Sequence, residues 1–246
     1  MADTVVLMAM LQWPLPHLMF VFYRVLVAAF AVTITFISIQ LHPGDLLPWP
    51  VFLTHWSFLL LTCHLLCAAV IVLLSTCCER RESTRPYRSL SSSGLTPIPC
   101  YMRFSWFLFS VTSPAAILVS VVYFTSLFPR LHRGYLNFED ASLHVMNSVL
   151  VILELSISAF PVRLLHAVYV LCYALAYVVF SVVYWAFDHS HVMYPGVLDW
   201  NAPTTTAVVL VILAAVGMPL LQFILFGIYH LRMYIYTHSA CLQSRD

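Results

Sequence analysis

Two apolar stretches of this 246-residue chain carry polar side chains at the same spacing. Each set follows positions i, i+3 and i+10: Thr54, Ser57 and His64 in the first stretch, and His144, Asn147 and Glu154 in the second. On an α-helix this spacing places all three residues on one face. Ionisable side chains inside a membrane are costly, so they mark functional candidates. We therefore expect both polar faces to point into the protein.

His64 and Glu154 are the deeper members of these two sets. Thr54 and His144 each lie near the start of their stretch, so the residues ten positions later lie about 15 Å deeper. We predict that His64 and Glu154 meet as a mid-membrane polar pair, because each offsets the desolvation of the other. A proton relay in a transporter is one use of such a pair. Two observations argue against a transporter: neither helix has a Gly or Pro break near His64 or Glu154, and no inverted repeat is evident.

Structural roles are an alternative for several of these residues. Thr54 and Ser57 can bond to a carbonyl four residues earlier or to a neighbouring helix. His144 can act as an anchor at the level of the lipid headgroups. Arg24, in an earlier apolar stretch, can snorkel to the membrane surface. Glu154 is the hardest to explain by packing, because a carboxylate without a role is rare at that depth.

The composition predicts the elements that must position these residues. Hydrophobic residues make up 62% of the chain and charged residues 9%, against about 45–50% and about 25% in soluble domains. This composition excludes a soluble globular protein. A spanning helix needs about 20 mainly apolar residues. We predict an all-α integral membrane protein, with six transmembrane helices in one bundle spanning about 18–41, 51–77, 104–127, 143–160, 164–187 and 206–229.

The placement of arginine predicts the orientation of this bundle. Most arginines outside the apolar runs lie in the loop 78–103 or the C-terminal tail, and only Arg130 and Arg133 lie on the opposite side. Positive charge favours the cytoplasmic side. Both termini should therefore be cytoplasmic, and 78–103 should form an Arg-rich cytoplasmic loop. Within the runs, Pro114 and Pro219 predict kinks in the third and sixth helices.

Several classes of chemistry lack support in the sequence. The formal net charge is +1, so no basic field for nucleic acid exists. No Walker, Rossmann or GxSxG pattern is present, and the outer-side histidines lack the ligand spacing of a metal site. We expect no cofactor, no metal and no nucleic-acid partner. The Cys77–Cys78 pair beside the membrane is either a pair of free thiols or a site of S-palmitoylation.

Three stretches of the chain resemble the rolling stone protein family. They are FLTHWSFLLLTCHLL in the second apolar run, SLHVMNSVLVILELSISAFPVRLLHAVY around the fourth, and MYPGVLDWNAP before the sixth. The likeness covers about residues 45–236. Rolling stone proteins are multi-pass membrane proteins, and the family name is associated with myoblast fusion. The resemblance therefore implies a role in cell contact or membrane fusion.

A more distant likeness is to the androgen-induced family of multi-pass hydrolases. Those enzymes cleave fatty acid esters of hydroxy fatty acids with a threonine nucleophile and a histidine. Thr54 in FLTHW matches the threonine, whereas Asn147 stands at the position of the histidine, and His144 is retained one turn earlier. The resemblance implies Thr54 and His144 as candidate catalytic residues, with Asn147 as support for an oxyanion. Because Asn147 cannot act as a base, either His144, His55 or a loop histidine replaces it, or hydrolysis is lost and only the fold remains.

Two functions are consistent with these observations. The first is a membrane protein of rolling stone type that acts in cell contact or membrane fusion through its loops or its bundle. The alternative is an intramembrane lipid ester hydrolase with Thr54 as nucleophile. The expected partners are membrane lipids, with an acyl-chain ligand in the second case. The expected location is the plasma membrane or the endoplasmic reticulum.

Overall fold

A computed structural model of the chain describes residues 16–41, 48–82, 99–131 and 135–243. Residues 83–98, which form most of the predicted loop 78–103, lie outside this part. Residues 42–47 and 132–134 also lie outside it, as do the residues before Pro16.

Six long helices account for most of the described residues. They are α1 (His17–Gln40), α2 (Leu53–Glu82), α3 (Cys100–Val122 and Phe128–Leu131), α4 (Phe138–Asp140 and Met146–Ile157), α5 (Ala167–Phe187) and α6 (Pro203–Ile212 and Met218–Gln243). A π turn joins the two parts of α3 (Tyr123–Leu127), of α4 (Ala141–Val145) and of α6 (Leu213–Gly217). A 3-10 turn at Leu164–His166 precedes α5.

All six helices are long and apolar enough to cross a membrane. For the described residues this confirms the prediction of an all-helical chain with six such helices. The cytoplasmic placement of both termini stays a prediction, so we name the two ends of the bundle by residues. At the Thr54 end, α2, α4 and α6 begin and α1, α3 and α5 end. The opposite end is called the Arg232 end.

Five of the helices share one apolar core. It consists of Phe20 of α1, Ala68 of α2, Phe109 of α3, Leu155 of α4 and Leu225 of α6, all of which are fully buried. Lipid tails are as apolar as these side chains, so close packing rather than exclusion from water favours their contact. The core therefore fixes α1, α2, α3, α4 and α6 around one point.

Small residues allow α1, α2 and α3 to approach one another closely. Ala31, Ala69 and Ala116, one from each helix, belong to a second buried cluster. Helices in membranes commonly meet at such residues because their backbones can come near. By contrast, α5 and α6 leave long apolar side chains such as Val179 and Phe223 exposed. Such faces suit contact with lipid.

Helix α4 ends at Ile157 inside the bundle, and the chain continues to α5 through residues 158–163. Backbone carbonyls that lack helical partners need donors there, because lipid supplies none. Side chains of α3 and α6 donate to five of them: Arg232 to the carbonyls of Leu155, Ser158 and Phe160, Trp106 to that of Pro161, and Gln222 to that of Arg163. The irregular segment is thus satisfied within the protein.

Helices α3 and α6 each contain a π turn that ends one residue before a proline. In both turns an N–H bonds to the carbonyl five residues earlier: Phe128 to Tyr123 before Pro129, and Met218 to Leu213 before Pro219. Proline lacks an N–H and its ring clashes with the carbonyl four residues earlier, so a wider turn relieves both problems. The irregularity expected near Pro219 lies at such a turn, whereas Pro114 lies within the continuous helix Cys100–Val122.

The loop between α5 and α6, residues 188–202, folds back over the Thr54 end. It contains a tight turn in which Gly196 has a φ of 75°. Arg130, at the end of α3, donates from Nη1 to the carbonyl of Pro195 at 2.8 Å. This contact fastens the loop to α3.

Replacing Gly196 with alanine should loosen this loop. A Cβ there would lie 1.8 Å from Arg130 Nη1. Holding alanine in the left-handed conformation would cost about 1–2 kcal/mol more. We expect a lower thermal unfolding midpoint in detergent and faster proteolysis within 188–202. Gly227→Ala is the control, since a Cβ there meets nothing within 4 Å. Equal behaviour of the two variants would contradict the role of the turn.

Candidate functional site

A cavity of about 360 Å³ lies among α3, α5 and α6 at the Thr54 end. Its volume is within the range of roughly 300–1,000 Å³ that is common for ligand pockets. Most of the wall is apolar, and five polar side chains reach it: Thr54, Tyr123, His144, Tyr177 and Tyr194. The structure therefore places the candidate residues Thr54 and His144, from different helices, on one cavity.

Thr54 lies in the first turn of α2, where a tyrosine from the 188–202 loop caps the helix. The N–H of Leu53 donates to Tyr194 Oη at 2.7 Å, and the Thr54 hydroxyl bonds to the same oxygen. Tyr177 of α5 also bonds to Tyr194 and donates to the carbonyl of Val51 at 2.7 Å. The first N–H groups of a helix have no partner within it. Their need for an acceptor explains why a loop phenol is held beside Thr54.

His144 lies in the π turn of α4 and is buried. Its ring stacks on Tyr123 of α3, with centroids 3.5 Å apart and planes 6° apart. Ser120 of α3 donates to the carbonyl of His144 at 2.5 Å. The carboxylate of Asp140 interacts with the Tyr123 phenol. Contacts from α3 to both its ring and its backbone thus fix the position of His144, and π turns are frequent at functional sites.

Asn147 is not part of the cavity wall, although it follows His144 by three residues. Its side chain is fully buried, and neither amide atom is hydrogen bonded within the described part of the chain. Ser57 also lies away from the wall and donates to the carbonyl of Thr54 at 3.0 Å. The expected grouping at one surface therefore holds for Thr54 and His144 but not for Asn147.

The lining of the cavity suits an acyl chain. Leu175 of α5 and Val211 of α6 both line it, and they are 62% and 64% exposed. We infer from this exposure that the cavity opens between α5 and α6, beside these two side chains. Among the described residues, no Arg, Asp or Glu lines the cavity. An apolar chain with an uncharged polar group matches this lining.

The structure brings His64 and Glu154 together. His64 Nε2 lies 3.2 Å from Glu154 Oε1, and both side chains are fully buried. His64 Nδ1 lies 3.1 Å from the carbonyl of Ser105. Arg24 of α1 is a third member: its Nη1 is 2.7 Å from both carboxylate oxygens, and its Nη2 donates to Ser158 Oγ at 2.7 Å. This buried network joins α1, α2 and α4.

The expectation that Arg24 snorkels to the membrane surface is wrong, because its side chain is fully buried. An unpaired carboxylate in the interior is so costly that a buried guanidinium partner is favoured. Tyr23 adds a hydrogen bond to Glu154 at 3.4 Å. Arg24 does not release its proton, and it bonds to both oxygens of Glu154. Because Glu154 is held in this ion pair, we interpret the network as structural rather than as a proton relay.

A second contact between a histidine and a carboxylate lies at the Thr54 end. His55 Nε2 is 3.9 Å from Glu139 Oε1, and its ring stacks on Trp49 with centroids 4.5 Å apart. Ser38 accepts from Trp49 Nε1 at 2.9 Å and donates to Glu139 at 3.1 Å. His55 is not part of the cavity wall. Of the named histidines considered as a replacement base, His144 is therefore the one at the cavity.

The 188–202 loop has its own electrostatics. The Ser190 hydroxyl at 2.5 Å and His191 Nδ1 at 2.7 Å lower the pKa of Asp188 to about 2. Burial raises the pKa of Tyr194, whose oxygen accepts hydrogen bonds from Leu53 and Thr54. Where side chains are described, His, Cys, Asp and Glu form no group of three that could hold a metal ion.

Comparisons with known proteins identify the family. A sequence model described as "Protein rolling stone" matches residues 3–244. The chain belongs to the rolling stone family. A curated relative, Protein rolling stone from Drosophila melanogaster, is 31% identical over 195 residues. That match covers 74% of this chain and 66% of the fly protein, just under two thirds of its length. No solved structure matches the chain.

Membership of the rolling stone family confirms that part of the resemblance and, with six apolar helices, fits a multi-pass membrane protein. The likeness to the androgen-induced hydrolases stays a prediction. The three stretches that carry the rolling stone resemblance meet at the cavity. FLTHW supplies Thr54, SLHVMN supplies His144, and MYPGVLDWNAP supplies Tyr194. The cavity is thus the place where distant parts of the sequence converge.

Breaking the ion pair between Arg24 and Glu154 should destabilise the bundle. Arg24→Leu leaves the Glu154 carboxylate buried without its charged partner, at a cost of about 3–5 kcal/mol. The double variant Arg24→Leu/Glu154→Leu buries no net charge, so we expect most of the loss to be recovered. Thermal unfolding in detergent measures both, with Arg103→Leu, at an exposed position of α3, as a surface control. A double variant no more stable than Arg24→Leu would refute charge compensation as the cause.

Proposed function

We propose that this member of the rolling stone family is a multi-pass membrane protein that binds a single-chain lipid between α3, α5 and α6. One observation carries the proposal: the cavity wall is mostly apolar, and its polar side chains include Thr54, His144 and Tyr194. An acyl chain would lie along the apolar wall. Its polar group would lie against these three side chains.

The chemistry of the polar side chains favours an uncharged lipid group. Hydroxyl and imidazole groups both donate and accept hydrogen bonds, so they suit an ester or an alcohol. A carboxylate or phosphate would need a cationic partner, and the described cavity wall offers no arginine. The opening beside Leu175 and Val211 would admit the lipid from the bilayer without passage through water.

Filling the cavity should prevent lipid binding. Ala174 lines it, whereas Ala176 on the same helix is exposed and does not. We expect Ala174→Trp to weaken the binding of a monoacylglycerol at least about tenfold, a change of about 1.4 kcal/mol. Ala176→Trp should bind like the natural protein. Binding is measured by mass spectrometry of the purified protein in phosphatidylcholine nanodiscs. Equal binding by both variants would place the lipid elsewhere.

Hydrolysis of a lipid ester is a second candidate function. The observation that favours it is that Thr54 and His144 line the same cavity. In this reaction His144 would accept the proton of the Thr54 hydroxyl as that oxygen attacks the ester carbonyl. The acyl group would then be bonded to Thr54, and the alcohol would leave with the proton. Water would release the acid and restore Thr54.

Substitutions at the cavity test this reaction. With a fatty acid ester of a hydroxy fatty acid as substrate, we expect Thr54→Ala to abolish turnover. Removal of the base in His144→Ala should cost about 10²–10⁴-fold. Thr62→Ala is the matched control, because Thr62 lies on α2 away from the wall and bonds to the carbonyl of Phe58. Loss of turnover in His55→Ala but not in His144→Ala would assign the base to His55 instead.

A role in cell contact or membrane fusion would act through the bound lipid. The loop 188–202 packs onto the bundle through Tyr194 and Pro195 instead of forming a separate domain. We therefore favour the lipid over a loop surface as the functional element. In a cell-fusion assay the pair Ala174→Trp and Ala176→Trp distinguishes the two, since only the first fills the cavity.

A further inference from the structure

The cavity has a closed inner end. Its innermost lining residues on α3, α5 and α6 are Leu118, Leu171 and Met218. Below them, Ala115 and Val170 pack against Met218, and all three are nearly or fully buried. The opening beside Leu175 and Val211 is about one turn or more away along each helix. An acyl chain whose polar group lies at Thr54 and His144, and which extends toward the Arg232 end, therefore meets a floor.

The helices give the length of this space. The lining runs from Leu171 to Val178 on α5 and from Leu118 to Leu127 on α3, which is about 10–14 Å at 1.5 Å per residue. An extended chain advances about 1.2 Å per bond. The space between the polar end and the floor thus holds roughly eight to twelve carbons.

We infer that Met218 sets the length of the acyl chain that the cavity accepts, and that the cavity selects chains of about eight to twelve carbons. This inference rests on the proposed lipid-binding function and adds its substrate class, an uncharged lipid with a medium-length chain. Longer chains would meet Met218 before their polar group reaches Thr54 and His144. Shorter chains would leave part of the apolar wall without contacts.

The backbone holds Met218 in place. Its N–H bonds to the carbonyl of Leu213 and closes the π turn, and Pro219 follows it. Methionine is unbranched and flexible, so the surrounding wall must fix where its side chain ends. Truncation to alanine removes three heavy atoms, which extends the cavity by about two to three carbons. Truncation to valine should extend the cavity by about one carbon.

The test compares saturated monoacylglycerols of increasing chain length on the full chain in phosphatidylcholine nanodiscs. Bound lipid is read by mass spectrometry, and folding is checked by thermal unfolding. For the natural protein we expect a binding optimum at about eight to twelve carbons. Met218→Ala should shift the optimum to chains about two to three carbons longer, and Met218→Val should shift it to chains about one carbon longer. Met218→Leu should leave it unchanged, and Val211→Ala, in the side wall, should weaken binding without moving the optimum.

The outcomes separate this inference from the function on which it rests. No binding at any chain length would overturn lipid binding itself. Binding without an optimum would overturn chain-length selection alone. An optimum that is unchanged in both Met218→Ala and Met218→Val would also overturn it, by removing Met218 as the determinant. If the alanine variant fails to fold, the valine variant gives the deciding result.

Discussion

The guanidinium of Arg24 and the carboxylate of Glu154 lie 2.7 Å apart in the interior, with both side chains fully buried. Two charges are removed from solvent there, so each requires the other, and α1 must lie against α4 at this height. Ser158 accepts from the same guanidinium through its side chain, while its carbonyl accepts from Arg232 of α6. The two arginines thus meet at the end of α4 and hold α1 and α6 there.

That arrangement allows α4 to end inside the bundle. A helix end in lipid would leave carbonyls without donors, at a cost of several kcal/mol each. Here Arg232, Trp106 and Gln222 donate to carbonyls at the end of α4 and in the segment 158–163. The Arg232 end of the bundle is fixed by these polar contacts and by the shared apolar core. The cavity lies toward the other end, where α5 and α6 present mainly apolar side chains to α3.

Part of this structure could be predicted from the sequence, because some patterns have a direct physical reading. Apolar runs of sufficient length predict helices, and the i, i+10 spacing in two helices of the same direction put His64 and Glu154 at one depth. Depth does not identify every partner, however. The prediction for Arg24 was wrong because it took into account only the nearest membrane surface and not a buried carboxylate on another helix. The detailed wall of the cavity could not be predicted, because it depends on π turns, on the conformation of Gly196 and on a loop phenol that caps α2.

The π turn at Ala141–Val145 explains why the polar face of α4 divides. In a regular helix, each residue turns about 100°, and the spacing from His144 to Glu154 keeps both on one side. A π turn holds one extra residue, which rotates the remainder of the helix by about the same angle. His144, within the turn, contacts Tyr123 of α3 and lines the cavity, whereas Glu154, beyond it, contacts Arg24 of α1 and His64 of α2. One local irregularity thus separates a residue available to a ligand from a residue that holds the bundle together.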